Sequence, residues 1–223
     1  MIVLALIGVA SGVFRTLAVM GLWDYVQLTR RVAGFIPTRT PEELVRDIQW
    51  SEQRWADHPV VVLAHAIPGF VFMFLGPFQF IGKIRSRNIR LHRWSGRIFL
   101  AAGAFVGISA IAMPLRFPLI AGRAELAVVV PFAGFLLFAL AKAYACIRRR
   151  EIAAHREWMI RAFAIGLGIA AVRPIDGVLT YFTRLSLHDH FAVALWTCLC
   201  GAALTAEIWI RLSSRTVSLH AQS

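Results

Sequence analysis

The sequence predicts an all-α integral membrane protein, a six-helix bundle with a duplicated two-helix core (spans two to five) and two outer spans. The residues are 58% hydrophobic and their mean hydropathy is +0.66, values that exceed those of ordinary soluble domains. Six apolar segments are long enough to cross a lipid bilayer. One basic motif occurs twice, in the loops after spans two and four.

A single transmembrane domain is expected over residues 1–223, because six spans and their connections leave no room for a separate soluble domain. The first apolar segment lacks the charged start and cleavage pattern of a signal peptide, so we expect it to be retained as a span. Arg15 interrupts the first span and Arg173 the fifth. The predicted spans cover about residues 2–22, 59–82, 94–115, 126–147, 157–183 and 191–211.

The net charge of +12 comes largely from two basic loops. Lys and Arg accumulate in loops that stay in the cytoplasm, so these loops and both termini are expected on the cytoplasmic side. Because orientation explains the charge, we expect no nucleic-acid partner. The loops contain Lys83, Arg85, Arg87, Arg90, Arg93 and Arg97 in one case, and Arg148, Arg149, Arg150 and Arg156 in the other.

The outer segment, residues 24–57, contains the sequence Thr-Pro-Glu-Glu at positions 40–43. A Thr cap, a Pro at the first helical position and a Glu three residues after the cap are typical of a helix start. They predict a short amphipathic helix over about residues 41–56. It either lies on the outer leaflet with Trp50 and Trp55 among the lipid headgroups, or packs on the neighbouring loops.

An internal duplication is the strongest feature. The pattern Ile-Arg-x-Arg-x-Ile-x-x-His-Arg at residues 84–93 returns at residues 147–156, an offset of 147 − 84 = 63. Each copy reads as helix, basic loop and helix. A duplicated two-span unit keeps its orientation, so the copies are related by an axis along the membrane normal. His92 and His155 then lie at one depth, and spans one and six pack outside the core.

Three strings within this duplication resemble a known bacterial family. They are Leu-Gly-Pro-Phe-Gln-Phe at 75–80, Leu-His-Arg-Trp-Ser-Gly-Arg at 91–97 and His-Arg-Glu-Trp-Met-Ile-Arg at 155–161. Over about residues 59–180 the chain resembles the polytopic membrane proteins called domain of unknown function 2306. The resemblance implies a multi-pass protein of the bacterial cytoplasmic (inner) membrane. It brings no established activity.

Four ionisable residues are predicted to form a buried polar layer in the outer half of the spans: Arg15, His65, Arg173 and Asp176. Such residues are costly in lipid and often mark transport pathways. Pro174 disfavours helix at Arg173, so a broken span is expected there. The layer favours a carrier or channel for a small anionic solute or protons. Alternatively, an Arg173–Asp176 pair and a His65 bond to a carbonyl freed by Pro68 are purely structural.

A b-type haem or quinone-linked membrane redox protein is the leading hypothesis. Two His at equal depth on neighbouring helices can supply both axial ligands of haem b, and Arg side chains can pair with its propionates. His65 could serve a second cofactor or a quinone, but it has no His counterpart in the second copy, where Val128 stands, and this disfavours a two-haem scheme. Alternatively, the motifs anchor the helices among lipid headgroups. The haem hypothesis assigns the cofactor to His92, His155, Arg93, Arg97, Arg156 and Arg161.

A lipid-binding or scaffold protein fits six short-looped spans equally well, with membrane lipids, further copies of the chain or other membrane proteins as partners. We assign no metal, because the sequence His-Asp-His at 188–190, even with Asp57 and His58, is more typical of a solvated loop. Glu207 is expected to pair with Arg97 or Arg161. Soluble nucleotide-binding and hydrolase classes are excluded, since no Gly-rich phosphate loop or Gly-x-Ser-x-Gly turn occurs.

Overall fold

The computed structural model describes residues 1–116 and 118–220, with side chains as far as residue 213. Within these residues the chain forms nine α-helices and no strand. The helices are α1 (Ile2–Val19), α2 (Tyr25–Val32), α3 (Pro41–Ala56), α4 (Pro59–Phe80), α5 (Gly82–Arg87), α6 (Ile89–Ala112), α7 (Gly122–Arg148), α8 (Ile152–Phe182) and α9 (Leu187–His220).

Six of the helices, α1, α4, α6, α7, α8 and α9, are long and apolar enough to cross a membrane. The predicted all-α membrane bundle is thereby confirmed. In lipid every backbone amide and carbonyl must find its partner within the segment, and long helices meet that requirement. The shorter helices α2, α3 and α5 lie in the connections between them.

The two ends of the bundle differ in character. One end carries α2 and α3, and we call it the capped end. The other carries α5, the first turns of α6 and α8 and the α7–α8 turn, which hold the basic motif, and we call it the basic end. A polar site at either end is therefore built from different helix termini.

The duplication is visible in the helix starts. Pro59 of α4 and Gly122 of α7 are 122 − 59 = 63 residues apart, and Ile89 of α6 and Ile152 of α8 are 152 − 89 = 63 apart. The copies differ at the basic end, where α4 stops at Phe80 while α7 continues to Arg148. Ile81 adopts an extended backbone and a glycine follows it, which ends α4 and starts the separate helix α5.

The core is built on an aromatic cluster between α4, α6 and α8. The rings of Phe72 and Phe99 stack with centroids 4.3 Å apart, and Phe163 packs 5.9 Å from Phe72. Small residues make room for these rings, because a side chain at Gly76 or Gly103 would overlap Phe163 or Phe72 respectively. Close approach at small residues is how membrane helices pack without a hydrophobic driving force between them.

The unrepeated helices pack on the duplicated core from two sides. Helix α1 lies against α4 and α8, while α9 lies against α8 and more lightly against α7. Among the described helices, α8 therefore packs most extensively against its neighbours. It also includes the longest run of buried positions, 162–165. Polar residues on α8 are thus placed to meet α1 and α9.

Candidate functional site

Side-chain contacts tie the segment of α2 and α3 to the rest of the chain. The Thr38 hydroxyl donates to the Thr180 carbonyl at the end of α8 over 2.7 Å. The Arg54 guanidinium donates to the Pro118 carbonyl between α6 and α7. Arg15 of α1 forms an ion pair with Glu52 of α3, with 2.7 Å between nitrogen and oxygen. The segment is therefore docked on the bundle.

The local sequence explains how α3 reaches this position. The Thr40 side chain accepts a hydrogen bond from the Glu43 amide, and the Glu43 carboxylate accepts one from the Thr40 amide. This capping box begins the helix at Pro41. Leu44, Ser51 and Arg54 are buried, so one face of α3 is turned toward the bundle.

Arg15 is enclosed by aromatic rings as well as by its acid partner. Its guanidinium carbon lies 5.0 Å from the centroid of the Tyr25 ring and 5.1 Å from that of the Trp55 ring. Such cation–π contacts stabilise a desolvated cation. Burial raises the pKa of the Tyr25 phenol while Arg15 opposes the shift, so this hydroxyl stays protonated and can donate a hydrogen bond.

Arg173 of α8 stands in the same cluster without a direct partner. Its charge lies within electrostatic range of Arg15, Asp176, Tyr25 and Glu52. Within the described part of the chain, no group forms a hydrogen bond or an ion pair with its guanidinium. It is exposed on the surface of the isolated bundle. Hydrogen-bond donors on Arg173 are therefore available to a bound group.

Asp176 is paired, but with a different residue from the one expected. Its carboxylate accepts a hydrogen bond from Nδ1 of His190 on α9 over 2.7 Å. The expected break at Pro174 is wrong, because α8 is continuous from Ile152 to Phe182. A proline inside a helix removes one hydrogen bond, whereas a break in lipid leaves several backbone groups unpaired.

His65 is separate from this cluster. Its Nδ1 lies 2.8 Å from the Ser109 hydroxyl of α6, and that hydroxyl donates to the Phe105 carbonyl. The hydroxyl has one proton, so His65 is the donor in the pair and its bond holds α4 to α6. The predicted polar layer thus divides: Arg15, Arg173 and Asp176 come together, and His65 has partners of its own.

A groove of about 440 Å³ opens beside the cluster, between the end of α1 and the helices α2 and α3. The lining includes Trp23, Asp24, Tyr25, Gln49, Glu52 and Trp55. Three of these residues, Tyr25, Glu52 and Trp55, also contact Arg15. The groove is therefore a route by which solutes at the capped end reach the neighbourhood of the arginines.

At the basic end, the two repeated histidines have different surroundings. Nδ1 of His155 donates to the Ala143 carbonyl of α7 over 2.8 Å. The equivalent position in the first copy is 143 − 63 = 80, which is Phe80, the last residue of α4. His92 forms no such bond: its buried Nδ1 has no hydrogen-bond partner among the described residues. The two imidazoles are close enough to interact electrostatically.

The arginines assigned to the haem hypothesis divide into two groups. Arg161 forms a bidentate pair with Glu207, with 2.6 Å and 3.1 Å between nitrogen and oxygen, which confirms the expected pairing of Glu207. It also stacks on the Trp158 ring at 4.6 Å. Arg161 is therefore committed to α9. The remaining three, Arg93, Arg97 and Arg156, are exposed.

The residues considered for a metal site are dispersed. Among the described residues, no three His, Cys, Asp or Glu side chains converge on one point. His188 is exposed and contacts the neighbouring Asp189, while His190 turns inward to Asp176. The two imidazoles of the His-Asp-His sequence therefore lie in different environments, with His188 exposed and His190 buried.

Comparison with known proteins places these features in a family. Residues 62–210 match the family model described as predicted membrane protein, domain of unknown function 2306. The chain belongs to this family. No curated protein and no solved structure matches the chain. The domain of unknown function 2306 match includes both histidine motifs, Arg173 and the Asp176–His190 pair, whereas Arg15 and α3 precede it.

Sequence reasoning missed three partners of the ionisable residues at the capped end: Tyr25 and Glu52, which contact Arg15, and His190, which bonds to Asp176. Glu52 and Tyr25 lie outside the apolar segments, where ionisable and aromatic residues are common. His190 stood in a sequence that resembled a loop. A usable signal existed for Glu52, since Arg15 in a span requires an acid partner.

Proposed function

We propose that this multi-pass membrane protein is a carrier that binds a small oxyanion, a carboxylate or a tetrahedral anion, at its capped end. The binding groups are those we call the arginine cluster: Arg15, Tyr25, Glu52, Arg173 and Asp176. One observation carries the proposal. Arg173 lies in a membrane-spanning helix beside a second arginine, and within the described residues no group bonds to its guanidinium.

The charges of the cluster support an anion rather than a cation. Glu52 already neutralises Arg15 at 2.7 Å, and Asp176 is engaged by His190. Among the described residues, Arg173 is thus a cation with no directly bonded acid. A guanidinium offers five donors in a planar fork that matches carboxylate and phosphate-like oxyanions. An ionised side chain at this depth is costly enough to suggest a function.

The docked helices α2 and α3 can control the access of an anion to the arginine cluster. Their ties to α1, α8 and the α6–α7 connection include individual hydrogen bonds and an ion pair. The net worth of such a bond in proteins is about 0.5–1.5 kcal/mol, and up to about 3 kcal/mol where a charge is involved. A binding anion that competes with Glu52 for Arg15 would therefore loosen one tie, which suits a carrier.

Ligand-dependent stabilisation tests the proposal. The protein is purified in mild detergent, and its melting temperature is measured with sodium acetate or sodium sulfate against sodium chloride of equal ionic strength. A ligand at about 100 times its Kd stabilises the folded state by about 2.7 kcal/mol. We expect stabilisation of the wild type and its loss in Arg173→Gln, because the free guanidinium is removed.

Arg46→Gln is the matched control, since Arg46 is an exposed arginine of α3 outside the arginine cluster. This variant should keep the full response to acetate or sulfate. Equal stabilisation of the wild type and Arg173→Gln, or no stabilisation of the wild type by either anion, would contradict the proposal.

A second candidate function, a haem-b membrane redox protein, is favoured by the state of His155. Donation from its Nδ1 to the Ala143 carbonyl leaves Nε2 with a free lone pair, which is the state of a haem-ligating imidazole. His92 is within electrostatic range. Arg93, Arg97 and Arg156 are exposed for propionates, whereas Arg161 is engaged by Glu207.

The visible spectrum separates the two candidates. Protein expressed with a haem precursor supplied is purified, and its absorbance is recorded oxidised and then reduced. The redox candidate predicts a Soret band that shifts on reduction and that disappears in His155→Ala but not in His188→Ala. Wild-type protein with no Soret band under these conditions would eliminate this candidate and leave the carrier.

A further inference from the structure

The Asp176–His190 pair joins α8 to α9 inside the bundle. The oxygen and Nδ1 are 2.7 Å apart, and the side chains are 21% and 3% exposed respectively. Nδ1 faces a carboxylate oxygen, so it carries the proton of the neutral ring. Nε2 then has a lone pair, and this buried atom has no hydrogen-bond partner among the described residues. Buried imidazoles with this pattern can accept a proton.

We propose that the Asp176–His190 pair is a proton-binding site that takes up a proton when the oxyanion binds at the arginine cluster, so that the carrier is proton-coupled. This inference rests on the proposed function and specifies its coupling ion. The step is simple: a proton from the solvent bonds to the Nε2 lone pair. The ring becomes an imidazolium beside the Asp176 carboxylate, and no other bond forms or breaks.

Charge balance gives the physical reason for the coupling. With His190 neutral, the charges of Arg15 and Arg173 are matched by those of Glu52 and Asp176. A bound acetate leaves the cluster with one unmatched negative charge, and unmatched charge is unfavourable in a poorly solvated setting. A proton on His190 restores the balance. Linkage makes the effect reciprocal, so protonation of the pair must also strengthen anion binding.

Charged groups on α7, α8 and α9 lie near His190, and each has an interaction of its own. Arg173 acts on Asp176 from one turn away on α8. Asp189 is adjacent on α9, but its carboxylate is engaged by the Ser186 hydroxyl and His188. On α7, Glu125 acts on Arg54 and His188. Asp176 is therefore the carboxylate bonded to His190, and Arg173 connects the pair to the arginine cluster.

The positions of Arg173 and Asp176 on α8 suit this coupling. Arg173 and Asp176 are three residues apart on one helix, which places them on the same face. Arg173 interacts electrostatically with both Arg15 and Asp176. An anion that binds Arg173 weakens the influence of this cation on Asp176. The Asp176 carboxylate then stabilises a proton on His190 more strongly.

Proton uptake on anion binding tests the proposal. Purified protein in weakly buffered detergent solution at pH 7 is mixed with acetate or sulfate, whichever stabilises the wild type, and a pH indicator reports protons removed from solution. Neither anion titrates near this pH. We expect about one proton taken up for each acetate bound. Stabilisation by the anion should also be larger at pH 6 than at pH 8.

Two variants assign the uptake to His190. His190→Gln keeps a hydrogen-bond donor for Asp176 but cannot accept a proton, so uptake and the pH dependence should disappear while the anion still stabilises the protein. His188→Gln, at an exposed histidine two residues away, should behave as the wild type. Uptake that persists in His190→Gln would overturn the proposal.

The possible failures are distinguishable. Anion stabilisation of the wild type without proton uptake overturns the proton site and leaves the proposed carrier intact. Absence of anion stabilisation overturns both. If His190→Gln does not fold, ¹⁵N NMR of the wild-type histidine rings replaces it. A ring that converts to the imidazolium form as anion is added supports the proposal, and rings that all stay neutral overturn it.

Discussion

Arg15 shows how a single residue in a span recruits partners from outside it. One helix supplies the cation, while Tyr25, Glu52 and Trp55 come from α2 and α3. The ion pair alone would be an expensive way to hold helices together, since desolvation offsets much of the attraction. Enclosure by two rings lowers that cost. The sequence placed Arg15 within the first span but did not place it beside these three residues.

The pair of Arg161 and Glu207 was predictable and the partner of Asp176 was not. Arg161 and Glu207 lie at the same end of adjacent spans, so their positions along the helices predicted Arg161 as one of two possible partners, with Arg97 as the other. Asp176 had a candidate on its own helix, Arg173, and sequence spacing favoured it. The structure pairs Asp176 with His190 of α9 because the tertiary packing of α8 on α9 brings that imidazole within 2.7 Å.

A substitution at Gly76 tests the packing of the core at the residue scale. In Gly76→Ala the added methyl would overlap the Phe163 ring, and overpacking of this kind costs about 1–3 kcal/mol. We expect a lower melting temperature of the purified protein in detergent.

Gly201→Ala is the control for that substitution, because a methyl group there meets no atom within 4 Å. It should leave stability unchanged or raised by up to about 1 kcal/mol through helix propensity. Equal melting temperatures for Gly76→Ala and the wild type would show that the ring moves aside without cost.

At the scale of the helix, two sequence signals had different outcomes. The Thr-Pro-Glu-Glu signal is local and complete in itself, and the structure contains both of its reciprocal hydrogen bonds. Pro174 is also a local signal, but its effect depends on the surroundings. In water a proline ends most helices, whereas in lipid the unpaired backbone of a break is too costly and α8 continues.

The two copies of the repeat also diverge at this scale. Their helices begin 63 residues apart at both positions, Pro59/Gly122 and Ile89/Ile152. Only the first copy has a break, at Ile81 and Gly82. As a result, the Phe80 carbonyl, which is equivalent to the one that accepts from His155, lies at a helix end. The Ala143 carbonyl, which accepts from His155, lies inside α7. Equivalent histidines therefore differ in their hydrogen bonds.

For the whole molecule, the distribution of charge predicts an orientation in the membrane. The basic end carries the arginines of both loops, and Lys and Arg near spans favour the cytoplasmic side. The arginine cluster and its groove would then open to the outside. An anion carrier with this orientation takes its solute from the side that α2 and α3 cover.

Cysteine labelling in intact cells tests this orientation. Glu42→Cys at the capped end and Ser86→Cys at the basic end both replace exposed residues. A membrane-impermeant maleimide should label Glu42→Cys in intact cells, and Ser86→Cys only after the membrane is opened. The unsubstituted protein measures the background from its own three cysteines. Labelling of Ser86→Cys in intact cells would reverse the orientation.

The sequence alone determined the membrane class and the helical fold, because hydropathy and the 1.5 Å rise per residue identify segments long enough to cross a bilayer, and it also contained the duplication. Only the tertiary structure decided which faces meet. It pairs Arg15 with Glu52, Asp176 with His190, and His65 with Ser109. Rotation about each helix axis depends on packing against neighbours, and the periodicity of a single span does not encode it.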